Sequence, residues 1–271
     1  MKKLLFSLLA IFVFTSLVSA QQNFSRVKIN LGEKGLSQLS ELGIDITEGK
    51  YKKDVFFITD LSEYEIQRLD QQSVNYKILI EDVSKFYAER AIADMPASIE
   101  RDVNDIWPVP NNWEMGSMGG FYTLEEVMRE LDDMAEMYPD IISVRQAISD
   151  DNLTVEGRSM FWVKISDNPN IDEDEPEILY SGVHHAREPM SVQQLIFYMW
   201  HLLENYDTDS DIQLLIDNTE MYFVPVVNPD GYKWNHTTYP MGGGMWRKNR
   251  RDNGDDSFGV DPNRNYGHMW G

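Results

Sequence analysis

The 271-residue sequence contains no cysteine. That excludes a disulfide framework, thiolate catalysis and any cysteine-ligated zinc site. A transition metal would have to be held by histidine, aspartate or glutamate. Histidine is itself scarce, with five in the chain: His184, His185, His201, His236 and His268. Positive charge is scarce too. There are 24 Lys and Arg against 45 Asp and Glu, for a net charge of −21. Such a surface repels phosphate backbones, so nucleic acid is not an expected partner. No apolar run is long enough to span a bilayer comfortably, and no internal repeat is visible. The oligomeric state is left unknown.

The longest apolar run, Leu4 to Val18, comes after Lys2 and Lys3 and ends in Val18-Ser19-Ala20. That is the layout of a signal peptide over residues 1–20, cut before Gln21. No cysteine stands after the cut to take a lipid. The expectation is a secreted or periplasmic protein without a stable membrane anchor.

Residues 21–92 read as a small α+β unit. Strands are expected at 24–31, 54–62 and 75–82, with helices at 35–44 and 63–73 between them. The unit holds no histidine and no evident site residue, so its expected role is in folding, inhibition or adaptation. Residues 93–120 carry little periodicity and read as a linker that packs on the next domain through Trp107 and Trp113. From 121 onward helices and apolar strands alternate. Helices are expected at 123–138, with Thr123 and Glu126 as a capping box, and at 190–206. Strands are expected at 141–148, 159–166, 178–183 and 219–228. The implied class is α/β: a mixed, mostly parallel sheet flanked by helices, preceded by the small α+β unit.

Two pairs have the spacing His-x-x-Glu: His185–Glu188 and His201–Glu204. Three residues apart, in a tight turn or a helix, two side chains can reach one ion. The spacing alone is weak, since two acidic-rich stretches can produce it by chance. His201 and Glu204 fall beside Gln194 and Asn205, opposite the apolar face of their helix, and read as a solvated face. His185 and Glu188 lie in "GVHHARE", after a strand read as buried and before a helix. Ligands in α/β proteins bind at such strand exits. This site is either a zinc centre or a polar turn in which Arg187 pairs with Glu188. The alternating Asp207, Asp209 and Asp211 read as a helix-capping loop, because the glycine and final glutamate of a calcium loop are missing.

Three further stretches sharpen the reading: "VVNPDGY" (226–232), "MWRKNR" (245–250) and "GVDPNRNYG" (259–267). Arginine grips a carboxylate with two parallel hydrogen bonds, and these arginines stand out in so acidic a chain. Taken in order, "FYTLEEV", "VEGRSMFWVKIS", "GVHHARE", "NPDGY", "MWRKNR" and "GVDPNRNYG" resemble the first part of the zinc carboxypeptidase catalytic domain, the carboxypeptidase A/B/T group.

The resemblance implies a division into signal peptide (1–20), propeptide-like domain (21–92), linker (93–120) and N-terminal part of the catalytic domain (121–271). It implies Zn2+ as cofactor, with His185 and Glu188 as metal ligands and His184 as a neighbour only. It implies that Arg187 contacts substrate, that Arg247 polarises the scissile carbonyl, and that Asn263 and Arg264 hold the substrate's terminal carboxylate. The expected partner is a peptide or protein with a free C-terminus. The family's second histidine ligand and general base fall in a later motif, so the sequence is expected to be a truncated, inactive portion of a longer enzyme. A non-catalytic module that binds peptide C-termini, and a related zinc peptidoglycan peptidase or deacylase, are the alternatives.

Overall fold

A computed structural model of the chain describes residues 23–32, 34–94, 108–254 and 257–267. The expected signal peptide, Trp107 and His268 lie outside them.

The N-terminal unit runs β1 (Phe24–Asn30), α1 (Gly35–Glu41), β2 (Lys50–Lys52), β3 (Phe56–Ser62), α2 (Glu63–Gln71), β4 (Tyr76–Ile80) and α3 (Val83–Asp94). Its strands form one antiparallel sheet in the order β2-β3-β1-β4. Alternation in β1 sends Val27 and Ile29 to a core shared with Leu39, Phe57, Leu61 and Leu69. α2 starts at a capping box formed by Ser62 and Glu65. The turn from α1 to β2 ends at Gly49. A Cβ there would lie 2.5 Å from the carbonyl of Ile58 and 2.7 Å from the Phe57 ring. Only glycine lets the chain run this close to β3, and the preceding residue, Glu48, is thereby held outward from the sheet.

The second unit runs α4 (Leu124–Met137), β5 (Gln146–Ala147), β6 (Phe161–Ile165), β7 (Glu177–Ser181), α5 (Pro189–Asn205), α6 (Ser210–Ile216), β8 (Glu220–Val224) and α7 (Pro229–Thr238). The sheet order is β5-β6-β8-β7. The sheet is mixed and helix-flanked, as expected. Among the described residues, however, only β7 and β8 pair in parallel, while β5–β6 and β6–β8 are antiparallel, so a parallel majority is not found there. The capping box at Thr123 and Glu126 forms as expected. Its helix lays Val127, Leu131 and Met134 into a core with Val163, Ile165, Ile196, Trp200, Met221 and Phe223. Trp113 packs edge-on against Phe197 of α5 once that helix is in place. The buried Lys164 and Glu220 pair across β6 and β8, and Tyr222 donates to the second Glu220 oxygen at 3.0 Å.

Two further expectations need correction. β7 is not buried: it is the edge strand among the described residues, and Leu179 is 66% exposed. The "NPDG" stretch opens α7, where Asn228 caps the helix and Pro229 takes its first position. The strand expected at 141–148 shrinks to Gln146–Ala147 plus an isolated bridge from Ile142 to Ile165. Asp209 caps α6, accepting from the Asp211 amide at 2.9 Å, which accounts for the aspartate alternation. No helix among the described residues is long and apolar enough to cross a membrane.

Candidate active site

β7 and β8 run in parallel, so both chains leave the sheet at the same edge, with Ser181 opposite Val224. The exits are stitched together. The amide of Val227 donates to Gly182 at 3.0 Å, and that of Asn228 donates to Val183 at 3.0 Å. Val183 itself has φ of 49°, a conformation that a β-branched residue adopts only under constraint. The segment after it, residues 184–188, is then pinned to the irregular run 245–249. The Ala186 amide donates to the Arg247 carbonyl at 3.0 Å. Asn235 donates to the carbonyls of Ala186 (2.9 Å) and Trp246 (2.8 Å), and accepts from the Trp246 amide at 2.9 Å. α7 can lie against both runs because Gly231 has no side chain: a Cβ would sit 2.5 Å from the Lys248 carbonyl and 2.8 Å from the Ala186 methyl.

On this scaffold the His-x-x-Glu quartet closes into a turn, the Glu188 amide donating to the His185 carbonyl at 3.1 Å. Glu188 begins α5 without using its side chain as a cap, which leaves the carboxylate facing His185. His185 is 4% exposed. Its Nε2 lies 3.1 Å from Asp261 Oδ1 and its Nδ1 lies 2.9 Å from Glu188 Oε1. Asp261 also accepts from Arg247 Nε (3.1 Å), Arg247 Nη2 (2.9 Å) and the Asn263 amide (2.9 Å). Burial alone would raise the Asp261 carboxyl, but the bonds from Arg247 and His185 outweigh it and hold it below the ordinary range. An ionised Asp261 is purely an acceptor, so His185 Nε2 carries the ring proton. The other ring nitrogen, Nδ1, then faces Glu188 Oε1. Two acceptors approach to 2.9 Å only when a proton or a cation joins them. The donor types, imidazole and carboxylate, fit a divalent ion such as zinc, and a carboxylate behind the imidazole is the arrangement that orients metal-bound histidines.

The arginines converge on the same spot. Arg187, Arg247 and Arg264 all meet one loop of the N-terminal unit, residues 45–48. Arg187 Nη2 donates to Glu48 Oε2 at 2.7 Å, and Arg247 Nη1 pairs with Glu48 Oε1. Arg247 Nη2 lies 3.3 Å from Asp45 Oδ2, and Arg264 Nη2 donates to the Thr47 hydroxyl at 2.8 Å. Asn263 is exposed on the turn Pro262–Arg264, next to this group, with its backbone tied to Asp261. Of the residues expected from the sequence, His185 and Glu188 face each other, and Arg187, Arg247 and Arg264 are joined to the same short loop. His184 stands aside, its Nε2 2.6 Å from the Tyr266 hydroxyl. A cleft of about 1390 Å³ opens beside Glu48, Arg187 and Glu188, between Tyr87 on the N-terminal unit and Trp113, Phe121, Met190 and Phe197 on the other side.

The N-terminal unit, read from the sequence as holding no evident site residue, brings Asp45, Thr47 and Glu48 against these arginines. Asp261 and Asn235 were also missed. Asp261 carries a usable sequence signal, an acid just before Pro-Asn-Arg that can cap the adjoining turn; the loop at 45–48 carries none.

With the geometry in place, comparison with known proteins is decisive. A family model described as zinc carboxypeptidase matches residues 127–271, more than half of the chain. The chain belongs to the zinc carboxypeptidase family. It is 34% identical over 152 residues to a zinc carboxypeptidase of Saccharothrix mutabilis subsp. capreolus, covering 56% of this chain and 33% of that one. It is 30% identical over 205 residues to carboxypeptidase A2 of Mus musculus, covering 75% and 44%. Among solved structures, the carboxypeptidase A from Helicoverpa armigera shares the fold with a TM-score of 0.64 at 23% identity, over 93% of this chain and 59% of that one. This zinc carboxypeptidase chain thus spans about a third to under a half of the length of these curated relatives.

Proposed function

We propose that this chain is the metal- and carboxylate-binding part of a secreted zinc carboxypeptidase, and that residues 21–92 cover its site as a propeptide does. The observation that carries the reading is His185, with one ring nitrogen pinned by Asp261 and the other turned to Glu188, beside arginines already holding carboxylates. His185 and Glu188 would hold the zinc. When bound, zinc would polarise the scissile carbonyl and lower the pKa of water to about 7.

The remaining work falls to the chain's own residues. Arg247 presents its guanidinium where charge appears on the carbonyl oxygen, and a preorganised donor of that kind is worth about 10²–10³ in turnover. Arg187, Asn263 and Arg264 form the cradle for the substrate's terminal carboxylate. An internal peptide segment would leave those cations unpaired, and that penalty selects chain ends over chain middles. The substrates proposed are therefore peptides or proteins with a free C-terminus. In this structure the Glu48 and Asp45 carboxylates occupy Arg187 and Arg247, groups that a bound substrate would need.

The test is to load the full gene product with zinc, remove residues 21–92 by cleavage, and offer peptides with free or amidated C-termini. Release of the last residue from free-ended peptides alone, lost with chelator and restored by zinc, is expected. No release from any free-ended peptide, or equal cleavage of amidated ones, would overturn the reading.

A further inference from the structure

The N-terminal unit meets the site with a carboxylate placed on the metal-facing side of His185, and not only on the arginines. Glu48 Oε1 lies 3.8 Å from His185 Nδ1, the nitrogen that faces Glu188 and not the one held by Asp261. One donor atom each from Glu48, His185 and Glu188 falls within 4.8 Å of the other two. Four-coordinate zinc, with bonds of about 2.0–2.2 Å, sets neighbouring ligands about 3.3 Å apart, so a small side-chain movement brings the three onto one ion. Charge points the same way. Among the carboxylates and guanidiniums around His185, the former (Asp45, Glu48, Glu188 and Asp261) outnumber the latter (Arg187, Arg247 and Arg264). That excess is negative, and Glu188 and Glu48 bring it to the Nδ1 side of His185. A carboxylate has about four lone-pair sites, so contacts with Arg187 and Arg247 leave Glu48 able to bind an ion as well.

We infer that Glu48 is itself a ligand of the metal held by His185 and Glu188, so that the N-terminal unit is fastened to the site through the ion. The inference rests on the zinc reading above. It makes the covering segment part of the metal centre: the position that water or substrate would need is filled by a side chain of the same polypeptide, and the unit binds more tightly when the ion is present.

The experiment measures metal binding by the full 271-residue chain. Zinc affinity is read by competition with a chromophoric chelator, and the visible d–d spectrum of the cobalt(II) form reports the ligand set. Glu48 lies on the surface loop and its side chain is 37% exposed, so Glu48→Gln is expected to fold, which circular dichroism checks. Loss of a ligand should weaken zinc by at least about tenfold, the lower end of what merely orienting partners contribute, and should shift the cobalt bands. An unchanged affinity overturns the inference. So does weaker zinc with an unaltered cobalt spectrum, because Glu48 would then act through its charge alone. His185→Ala separates this inference from the reading beneath it. If that variant bound zinc as tightly as the parent, the zinc site itself would be misplaced. If it lost zinc while Glu48→Gln did not, only the role of Glu48 would fall.

Discussion

The chain contains the same four-residue spacing twice, and the two copies have been put to opposite uses. In His185–Glu188 the quartet is a tight turn between a strand exit and a helix. Its histidine is anchored from behind by Asp261, and its glutamate is turned inward to meet the ring. In His201–Glu204 the quartet lies along α5. His201 is bonded to Asn205 of the same helix, and Glu204 reaches out to the linker, accepting from the Asn111 amide at 2.6 Å, the Asn112 amide at 2.7 Å and the Asn112 side chain at 2.9 Å. It is not the solvated face that the helical wheel suggested but the seat of the linker. The difference teaches that spacing only makes a shared ion possible. The group behind the histidine, and the other claims on the glutamate, decide whether the pair is available.

The strongest way to break the contrast is at the histidines. His185→Ala should lower zinc affinity by more than the about 10–100-fold that orienting partners contribute, because a ligand itself is lost. His201→Ala should leave affinity within about twofold. Calorimetric titration of each variant checks this, and equal losses would remove the distinction. A smaller effect is expected one bond further out. Asp261→Asn keeps the size of the side chain but no longer offers an ionised acceptor to both His185 and Arg247. Zinc affinity should fall by about 10–100-fold, while Asn205→Ala, the corresponding change beside His201, should not affect it.

The glutamates should reverse that order when stability is measured. Glu204→Ala leaves two linker amides without their acceptor and should cost about 1–3 kcal/mol in urea unfolding, with zinc binding unchanged. Glu188→Ala should do the converse: metal binding is lost and the metal-free protein unfolds at nearly the parent's urea concentration, because the Glu188 side chain makes no cap hydrogen bond to α5 and is half exposed. A destabilisation of the metal-free form by Glu188→Ala as large as that of Glu204→Ala would mean that the turn, not the ion, is what the first quartet is for.

The range of each interaction decides how far it could be read in advance. The capping box at Thr123, the alternation of β1 and the apolar stripe of α4 are local signals, and they produced the expected elements. The turn that joins His185 to Glu188 is local as well. The edge position of β7 was not legible, because an apolar strand reads alike at the centre and at the margin of a sheet. The loop at 45–48 was not legible for a stronger reason: Glu48 meets Arg187 across 139 positions of sequence, and a glutamate before a glycine is unremarkable until the fold brings it there. The family resemblance located the arginines but said nothing of the groups that would occupy them.

The smallest effect concerns pH and belongs to the first quartet alone, because only there does a loop of the N-terminal unit close over the turn. Burial works to raise the Asp45 carboxyl, but its bonds from Thr47 and the charges of Arg247 and Arg264 hold it below its ordinary value of 3.8. A carboxyl lowered by folding binds protons less readily when docked than when free. Its contribution is therefore complete above pH 3.8 and is lost as the pH falls through the lowered folded value. Asp261, lowered for the corresponding reason, adds to the loss in the same direction. Asp45 is 40% exposed, so solvent screens the pair and limits the effect to about 1 kcal/mol. The Thr47 amide donates to Asp45 at 2.8 Å and reports the docked loop directly. Its hydrogen-exchange protection, corrected for the intrinsic rate, should stay level from about pH 7 down to about pH 4 and decline below pH 3.8. A decline that begins near about pH 6 would mean that an imidazole, not these carboxylates, governs how the loop is held.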